Sequence, residues 1–196
     1  VDAADHRLRR TRERFAAGES IAAFALSERD AGSDVTAMRT SARRDGTGWI
    51  IDGEKTWISN AGIADHYVVF CRMPDEGAKA FGAFVVDAGA AGLSVTERIN
   101  VIAPHPLGTI AFTNCRVSGA ALVGAPGKGL RVALGTLDVF RSTVGAAALG
   151  FARRALADVL KHVATRKAFG QPLAEFQLVQ ASIAEPRQRM RFMIFT

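Results

Sequence analysis

The spacing of apolar positions changes once along this chain, near residue 129. Before that point apolar residues come in short runs or alternate with polar ones, bounded by Gly, Asp and Asn. Such a pattern predicts strands at 21–26, 35–43, 49–51, 55–59, 67–72, 81–86, 93–99 and 109–117. Seven or eight short strands with Gly- and Asp-rich punctuation predict a closed barrel or a sandwich. Asp52-Gly53 reads as a tight hairpin, and Asn60-Ala61-Gly62 as a turn. After the Gly124-Ala125-Pro126-Gly127-Lys128-Gly129 loop the period becomes about 3.6, and no proline interrupts it before Arg166. Leu130, Leu134, Leu137, Val144, Ala148, Phe151, Ala155, Val159 and Val163 then form one apolar stripe. One long helix that packs in a bundle is expected. Phe169-Gly170-Gln171-Pro172 breaks it, and a second helix begins over 175–185, with its continuation past Pro186 left open. At the other end, residues 2–17 read as a polar helix capped by Gly18.

Three places in this framework carry candidate chemistry. Trp57 and Ser59 stand two apart on one predicted strand, so an indole and a hydroxyl share a face. The same spacing also suits an ordinary strand with a core tryptophan. Residues 25–34, Ala-Leu-Ser-Glu-Arg-Asp-Ala-Gly-Ser-Asp, leave a buried strand for a loop of small residues, which suits either a plain strand-ending loop or one whose backbone N–H groups approach a ligand closely. Arg141 falls in the apolar register of the long helix, where an unpaired guanidinium would cost on the order of 3–5 kcal/mol. Asp138, one turn earlier, is the acid expected to meet it, either as a buried ion pair or beside an anion site.

Composition narrows the possible partners. A formal charge of +6 suits an anionic partner, whereas a single Tyr and scattered Arg argue against a base-stacking nucleic-acid surface. Cys71 and Cys115 sit in strand-like apolar stretches and are expected to be reduced core residues. His6, His66, His105 and His162 have no ligand spacing, so no metal is expected. No uninterrupted apolar run approaches the roughly 18 residues of a membrane helix, and the first twenty residues lack the apolar segment of a signal peptide. A cytoplasmic protein, or an organellar matrix one in a eukaryote, is the expectation. Asp2, Asp5 and Glu13 interrupt the cluster of Arg7, Arg9, Arg10, Arg12 and Arg14, which favours a solvated helix over a transit peptide.

Four segments together resemble the acyl-CoA dehydrogenase family. Residues 25–34 are similar to its Ser/Thr-Glu-x-x-Ala-Gly-Ser-Asp loop, and Lys55-Thr56-Trp57-Ile58-Ser59-Asn60 to its Lys-x-Trp-Ile-Thr/Ser-Asn strand. Asp138 to Arg141, and Arg166-Lys167-Ala168-Phe169-Gly170 followed by Gln177, complete the set in the same order. The resemblance implies an α+β fold, with a middle antiparallel β-barrel flanked by helical-bundle segments. Residues 1–18 would end an N-terminal helical domain, 19–124 form the barrel and 125–196 begin a C-terminal bundle. It also implies FAD, lying between the barrel and the long helix. Ala25, Leu26, Ser27, Gly32, Ser33 and Asp34 would hold the flavin, with Trp57 and Ile58 beside its ring and Ser59 hydrogen-bonded to N5. Arg166, Ala168, Phe169, Phe176 and Gln177 would reach the FAD of a neighbouring subunit in a dimer or tetramer. Ser33, Asp138, Val139, Phe140 and Arg141 would line the site for an acyl-CoA, or for an acyl group on a carrier protein. The implied reaction is α,β-dehydrogenation, with an electron-transfer flavoprotein as the usual reoxidant.

Several positions depart from the family pattern. Phe140 occupies a position where some members carry the base, and most place a glutamate in a later segment. The chain is therefore expected to be partial and to hold no catalytic residue for proton removal. Arg29-Asp30 replaces a Pro-containing pair, and Ala168 stands where a hydroxyl is frequent. Ala103-Pro104-His105-Pro106-Leu107-Gly108 replaces a stretch that often presents Arg and Ser. Related monooxygenases or oxidases on the same fold, and a non-catalytic flavin- or anion-binding relic, are the alternative functions.

Overall fold

The structure, a computed structural model, describes residues 13–192. Of the N-terminal arginines, Arg7, Arg9, Arg10 and Arg12 lie outside the described residues, as does most of the helix expected over 2–17. Its last turn is helical and ends as expected at Gly18, which has φ 73°. There Gly18 N–H donates to Phe15 O and Glu19 N–H to Arg14 O, the paired bonds of a Schellman cap. The chain divides into two compact units, with the boundary between Gly135 and Thr136.

The first unit is built on a seven-stranded sheet. Its strands are β1 (Ala22–Ala25), β2 (Ser41–Asp45), β3 (Gly48–Ser59), β4 (His66–Arg72), β5 (Phe81–Asp87), β6 (Leu93–Arg98) and β7 (Leu107–Val117). They run β1-β4-β2-β3-β7-β6, with β5 also paired to β4. The α+β expectation holds, and within it the sheet expected to be an antiparallel barrel is a mixed half-barrel, antiparallel except where β4 meets β1 and β2. β1 pairs parallel to β4 from Ala22↔His66 to Ala25↔Val69, and β2 meets β4 in parallel at Ser41↔Arg72. The long excursion through β2 and β3 lets β4 return in the direction of β1, as a parallel pair requires.

Two predicted strand boundaries also move. Residues 35–43 are not one strand, because Val35–Ala37 is a 3-10 turn and pairing begins only at Ser41. Asp34 is responsible: its Oδ1 accepts from both the N–H and the hydroxyl of Thr36, offering the backbone a local alternative to a ladder. Residues 49–51 and 55–59 are halves of a single strand, β3, so Asp52-Gly53 makes a bulge instead of a hairpin. Partners shift from Ile51↔Cys115 to Gly53↔Phe112, and Gly53 sits at φ 139°. A side chain there would bring Cβ within 2.6 Å of Thr40 Cα, so the strand can bend past Thr40 only with glycine.

Inside the half-barrel, Ile51, Val69, Phe84, Val86 and Ile110 are fully buried, and Trp49 packs edge-on to Phe84 with ring centroids 5.7 Å apart. Cys71 and Cys115 are free and buried among them, as expected. Burial pushes the Cys71 thiol up to about 12, far from nucleophilic reactivity.

The second unit contains most of the long helix α1 (Gly129–Thr165), a small hairpin of β8 (Lys167–Ala168) and β9 (Gln171–Pro172), and α2 (Gln177–Phe192). A 3-10 turn at Leu173–Glu175 delays the second helix to Gln177, and Pro186 lies inside it. Among the described residues α1 is long and apolar enough, by length and composition, to cross a membrane, although no uninterrupted apolar run signalled it. Its stripe is only partly covered: Val163 is buried, whereas Val144 and Phe151 are exposed.

Phe84→Ala is expected to destabilise the first unit by about 3–5 kcal/mol, and Ile102→Ala, at a fully exposed position, to change stability by less than about 0.5 kcal/mol. Urea unfolding midpoints of the two variants check this.

Candidate functional site

Lysine is rarely buried without a partner, yet Lys55 on β3 has no exposed side-chain surface. Its Nζ donates to Leu26 O at 2.9 Å and to Glu28 Oε1 at 2.8 Å, with Met38 Sδ 3.8 Å away. Those contacts occupy all the donors an ammonium has. Glu28, also buried, accepts in addition from Arg39 N–H at 2.6 Å and Thr40 N–H at 3.0 Å. Ser27 O accepts from Thr56 N–H at 3.0 Å, and Glu28 and Ala31 exchange backbone bonds at 3.1 Å. Loop 25–34 is therefore fastened to β3 by the Glu28–Lys55 ion pair, the bond from Lys55 Nζ to Leu26 O and one backbone hydrogen bond, Thr56 N–H to Ser27 O.

Burial raises the Glu28 carboxyl, but bonds from Arg39 N–H, Lys55 and Thr40 outweigh it and hold the group below its ordinary range. Burial likewise draws Lys55 below its ordinary value, against the opposing pull of Glu28.

Over the four residues that follow Lys55 on β3 the burial alternates: Thr56 inside, Trp57 out, Ile58 inside, Ser59 out. Trp57 and Ser59 do share a face, and it is an open one, with 49% of Trp57 exposed. A second bulge lies between Lys55↔Ile110 and Ile58↔Gly108, and Trp57 within it has φ 55°. A bulky residue in left-handed backbone is strained, and such strain concentrates at binding sites. On the buried side of the sheet, Thr56 Oγ1 and Thr109 Oγ1 are 2.8 Å apart, and Thr109 donates to Glu97 at 3.1 Å. Ser59 Oγ lies 2.9 Å from His105 Nε2. The sequence marked 103–108 as atypical without indicating this contact, since Ser59 and His105 are far apart along the chain.

The structure joins Leu26 and Ser27 to β3 at Lys55 and Thr56, just before this face, and gives the expected loop residues different exposures. Ala25, Leu26 and Ile58 are buried, which leaves only their backbone available, and Ser27 is half-buried. Gly32, Ser33 and Asp34 are exposed, with the Asp34 carboxylate engaged by Thr36. Open space surrounds Gly32.

In the second unit, Asp138 and Arg141 pair at 3.1 Å and are 67% and 69% exposed, so of the two readings left open by the apolar register the buried ion pair is not what the structure shows, and the pair lies on an open face. An apolar register does not make a covered face, and Val139 and Phe140 beside them are exposed too. An exposed i,i+3 pair of this kind contributes only about 0.2–0.5 kcal/mol. Arg166 accepts through its carbonyl from Leu173 N–H at 2.8 Å, closing the β8–β9 hairpin. Its turn residues, Phe169 at φ 52° and Gly170 at φ 85°, are both left-handed, as a two-residue type I′ turn requires. That turn holds Phe169 almost fully exposed, edge-on to Phe176 with centroids 6.4 Å apart. Ala168, Phe169, Phe176 and Gln177 line one open groove of about 660 Å³. Among the described residues no cluster of His, Cys, Asp and Glu could hold a metal ion.

Comparison with known families matches residues 23–115 to the middle domain of acyl-CoA dehydrogenases and residues 127–193 to their C-terminal domain. The chain belongs to the acyl-CoA dehydrogenase family. It is 40% identical to the probable acyl-CoA dehydrogenase FadE25 of Mycobacterium tuberculosis, over 93% of this chain and 48% of that protein. A probable acyl-CoA dehydrogenase from Mycobacterium abscessus superposes with a TM-score of 0.89 at 27% identity, covering 96% of this chain and 50% of that one. A glutaryl-CoA dehydrogenase from Mycobacterium smegmatis, solved in complex with FADH2, superposes with a TM-score of 0.83 at 31% identity, covering 92% and 46%. The chain thus spans about half the length of the relatives it matches. Both family segments coincide with the regions just described: the β3 wall and its loop in the middle domain, the hairpin and its groove in the C-terminal one.

Removing one partner of a buried ion pair leaves an uncompensated charge, so Lys55→Ala is expected to cost about 3–5 kcal/mol in chemical denaturation. Glu28 has a carboxyl held low in the folded chain, so the unfolded chain binds more protons below about pH 4.3. Its stabilisation is complete above that pH and is lost as pH falls through the folded value. A denaturation series from pH 6 down to about 3 should show that loss, and Glu28→Gln should reduce the slope.

Proposed function

We propose that the protein containing this chain is an FAD-dependent acyl-CoA dehydrogenase, with the Trp57–Ser59 face as the wall beside the isoalloxazine ring. The observation that carries this reading is an exposed tryptophan held in strained backbone on a bulge, beside an outward hydroxyl and a loop locked to the same strand. An indole so placed offers a flat apolar platform, and Ser59 offers a hydrogen bond toward N5. Backbone N–H groups of Ala25 to Ser27 and of Gly32 to Asp34 suit flavin heteroatoms and phosphate oxygens. Arg166, Ala168, Phe169, Phe176 and Gln177 are assigned to the FAD of a neighbouring subunit, because the hairpin turns Phe169 outward and leaves it almost fully exposed among the described residues. Ser33 and Asp138 to Arg141 are assigned to the acyl-CoA, whose phosphates match the surplus positive charge.

FAD, when bound, supplies the two-electron acceptor for the hydride leaving Cβ of the acyl group. This chain's contribution is to position that acceptor and to exclude water from one side of it with the indole. Removing the α-proton requires a base, and Phe140 offers none; that group is assigned to sequence outside this chain. An electron-transfer flavoprotein is the proposed reoxidant, and an oxidase using O2 on the same fold is the second reading.

Purified full-length protein is expected to carry flavin absorbance that bleaches anaerobically with acyl-CoA. Trp57→Ala should weaken FAD retention about tenfold to a hundredfold, the loss of one aromatic platform of about 1–3 kcal/mol. A colourless protein overturns the reading, and rapid O2 reoxidation of the bleached form replaces dehydrogenase with oxidase.

A further inference from the structure

We propose that His105 is a positioning residue that sets the direction of the Ser59 hydroxyl, an inference that rests on Ser59 facing a bound flavin. A serine hydroxyl has one proton and two lone pairs, and on an exposed strand it rotates freely unless something holds it. The hydrogen bond the structure gives Ser59 Oγ is to His105 Nε2, at 2.9 Å.

His105 is held opposite Ser59 from both sides. Pro104 and Pro106 flank it; each proline fixes its own φ, and Pro106 also restricts His105 to extended backbone. Pro106 O accepts from Asn60 N–H at 2.8 Å, and Ser59 pairs with Leu107 in the β3–β7 ladder. The residue after Ser59 and the two residues after His105 are therefore locked together by backbone. The charged residues of the neighbouring β6 are directed elsewhere: Glu97 accepts from Thr109, and the Arg98 guanidinium lies by Gly62.

The proton inventory shows what this contact does. With the proton on Nε2, His105 donates to Oγ, and the hydroxyl proton is free to point at an acceptor on the open face. With Nε2 bare, the hydroxyl proton turns back to the ring and Ser59 presents only lone pairs. The imidazole tautomer thus selects whether Ser59 meets its ligand as donor or acceptor. An oxidised flavin N5 is an acceptor, so it selects the Nε2–H form of His105.

A double-mutant cycle on the full-length holoprotein tests this, read through the FAD dissociation constant and the midpoint potential of the bound flavin. His105→Ala should weaken FAD binding about two- to tenfold, the range of one hydrogen bond, and shift the potential in the same direction as Ser59→Ala. In the Ser59→Ala background, His105→Ala should change neither quantity further. His105→Gln, whose amide can donate in place of Nε2–H, should restore both and guards against a misfolded alanine variant. Equal effects of His105→Ala with and without Ser59, or no effect in either background, overturn the proposal while leaving flavin binding intact. Wild-type protein without flavin overturns the site reading and this inference with it.

Discussion

A lysine with no contact to water sits between the two pieces of chain that form the candidate site. Lys55 on β3 and Glu28 in the preceding loop neutralise one another, and each also ties down backbone of the other's neighbourhood: Leu26 O on one side, Arg39 and Thr40 N–H on the other. A pair of apolar residues could fill the same space, and in many interiors would be no less stable. It would not satisfy the two amides and the carbonyl that the ion pair holds. The pair therefore sets the path of residues 25–40 as well as joining them to the sheet, and Trp57 and Ser59 follow two and four residues after its lysine.

Departures from regular strand geometry cluster around that anchor. β3 is bulged twice, at Gly53 and at Trp57, and the second bulge changes which side chains face out at the end of the strand. Trp49, Ile50 and Ile51 are all buried, and without the extra residue the side chains after them would simply alternate between the two faces of the sheet. With it, the strand keeps Lys55 and Thr56 inside in succession and then exposes an indole. In the second unit a similar backbone economy serves the hairpin, where two left-handed residues present Phe169 outward.

Much of this was readable from the chain, for definite reasons. The period change near residue 129 located the long helix because apolar spacing is a local signal, and the shared face of Trp57 and Ser59 followed from a two-residue repeat. Gly18 ended its helix as a glycine cap should. Where the reading failed, non-local or competing interactions had won. Asp34 turned toward Thr36 and broke a predicted strand; Asp52-Gly53 looked like a hairpin because no local rule shows Thr40 crowding Gly53. The parallel pairing of β1 with β4 joins segments about forty residues apart, beyond any window of periodicity. Arg141 was placed in an apolar register correctly, yet register alone does not say whether a face is covered. The Lys55–Glu28 and Ser59–His105 contacts were invisible for the same reason as the parallel pair.

The fastened loop has a further meaning for recognition. Residues that order themselves only when a ligand arrives give up about 1–2 kcal/mol each in backbone freedom at that moment. Here the carbonyl of Leu26, the carboxylate of Glu28 and the amides of Arg39 and Thr40 are committed within the fold itself. The rigidity belongs to folding, so a ligand meeting this face encounters a surface already in shape, and its affinity reflects contacts made instead of disorder lost.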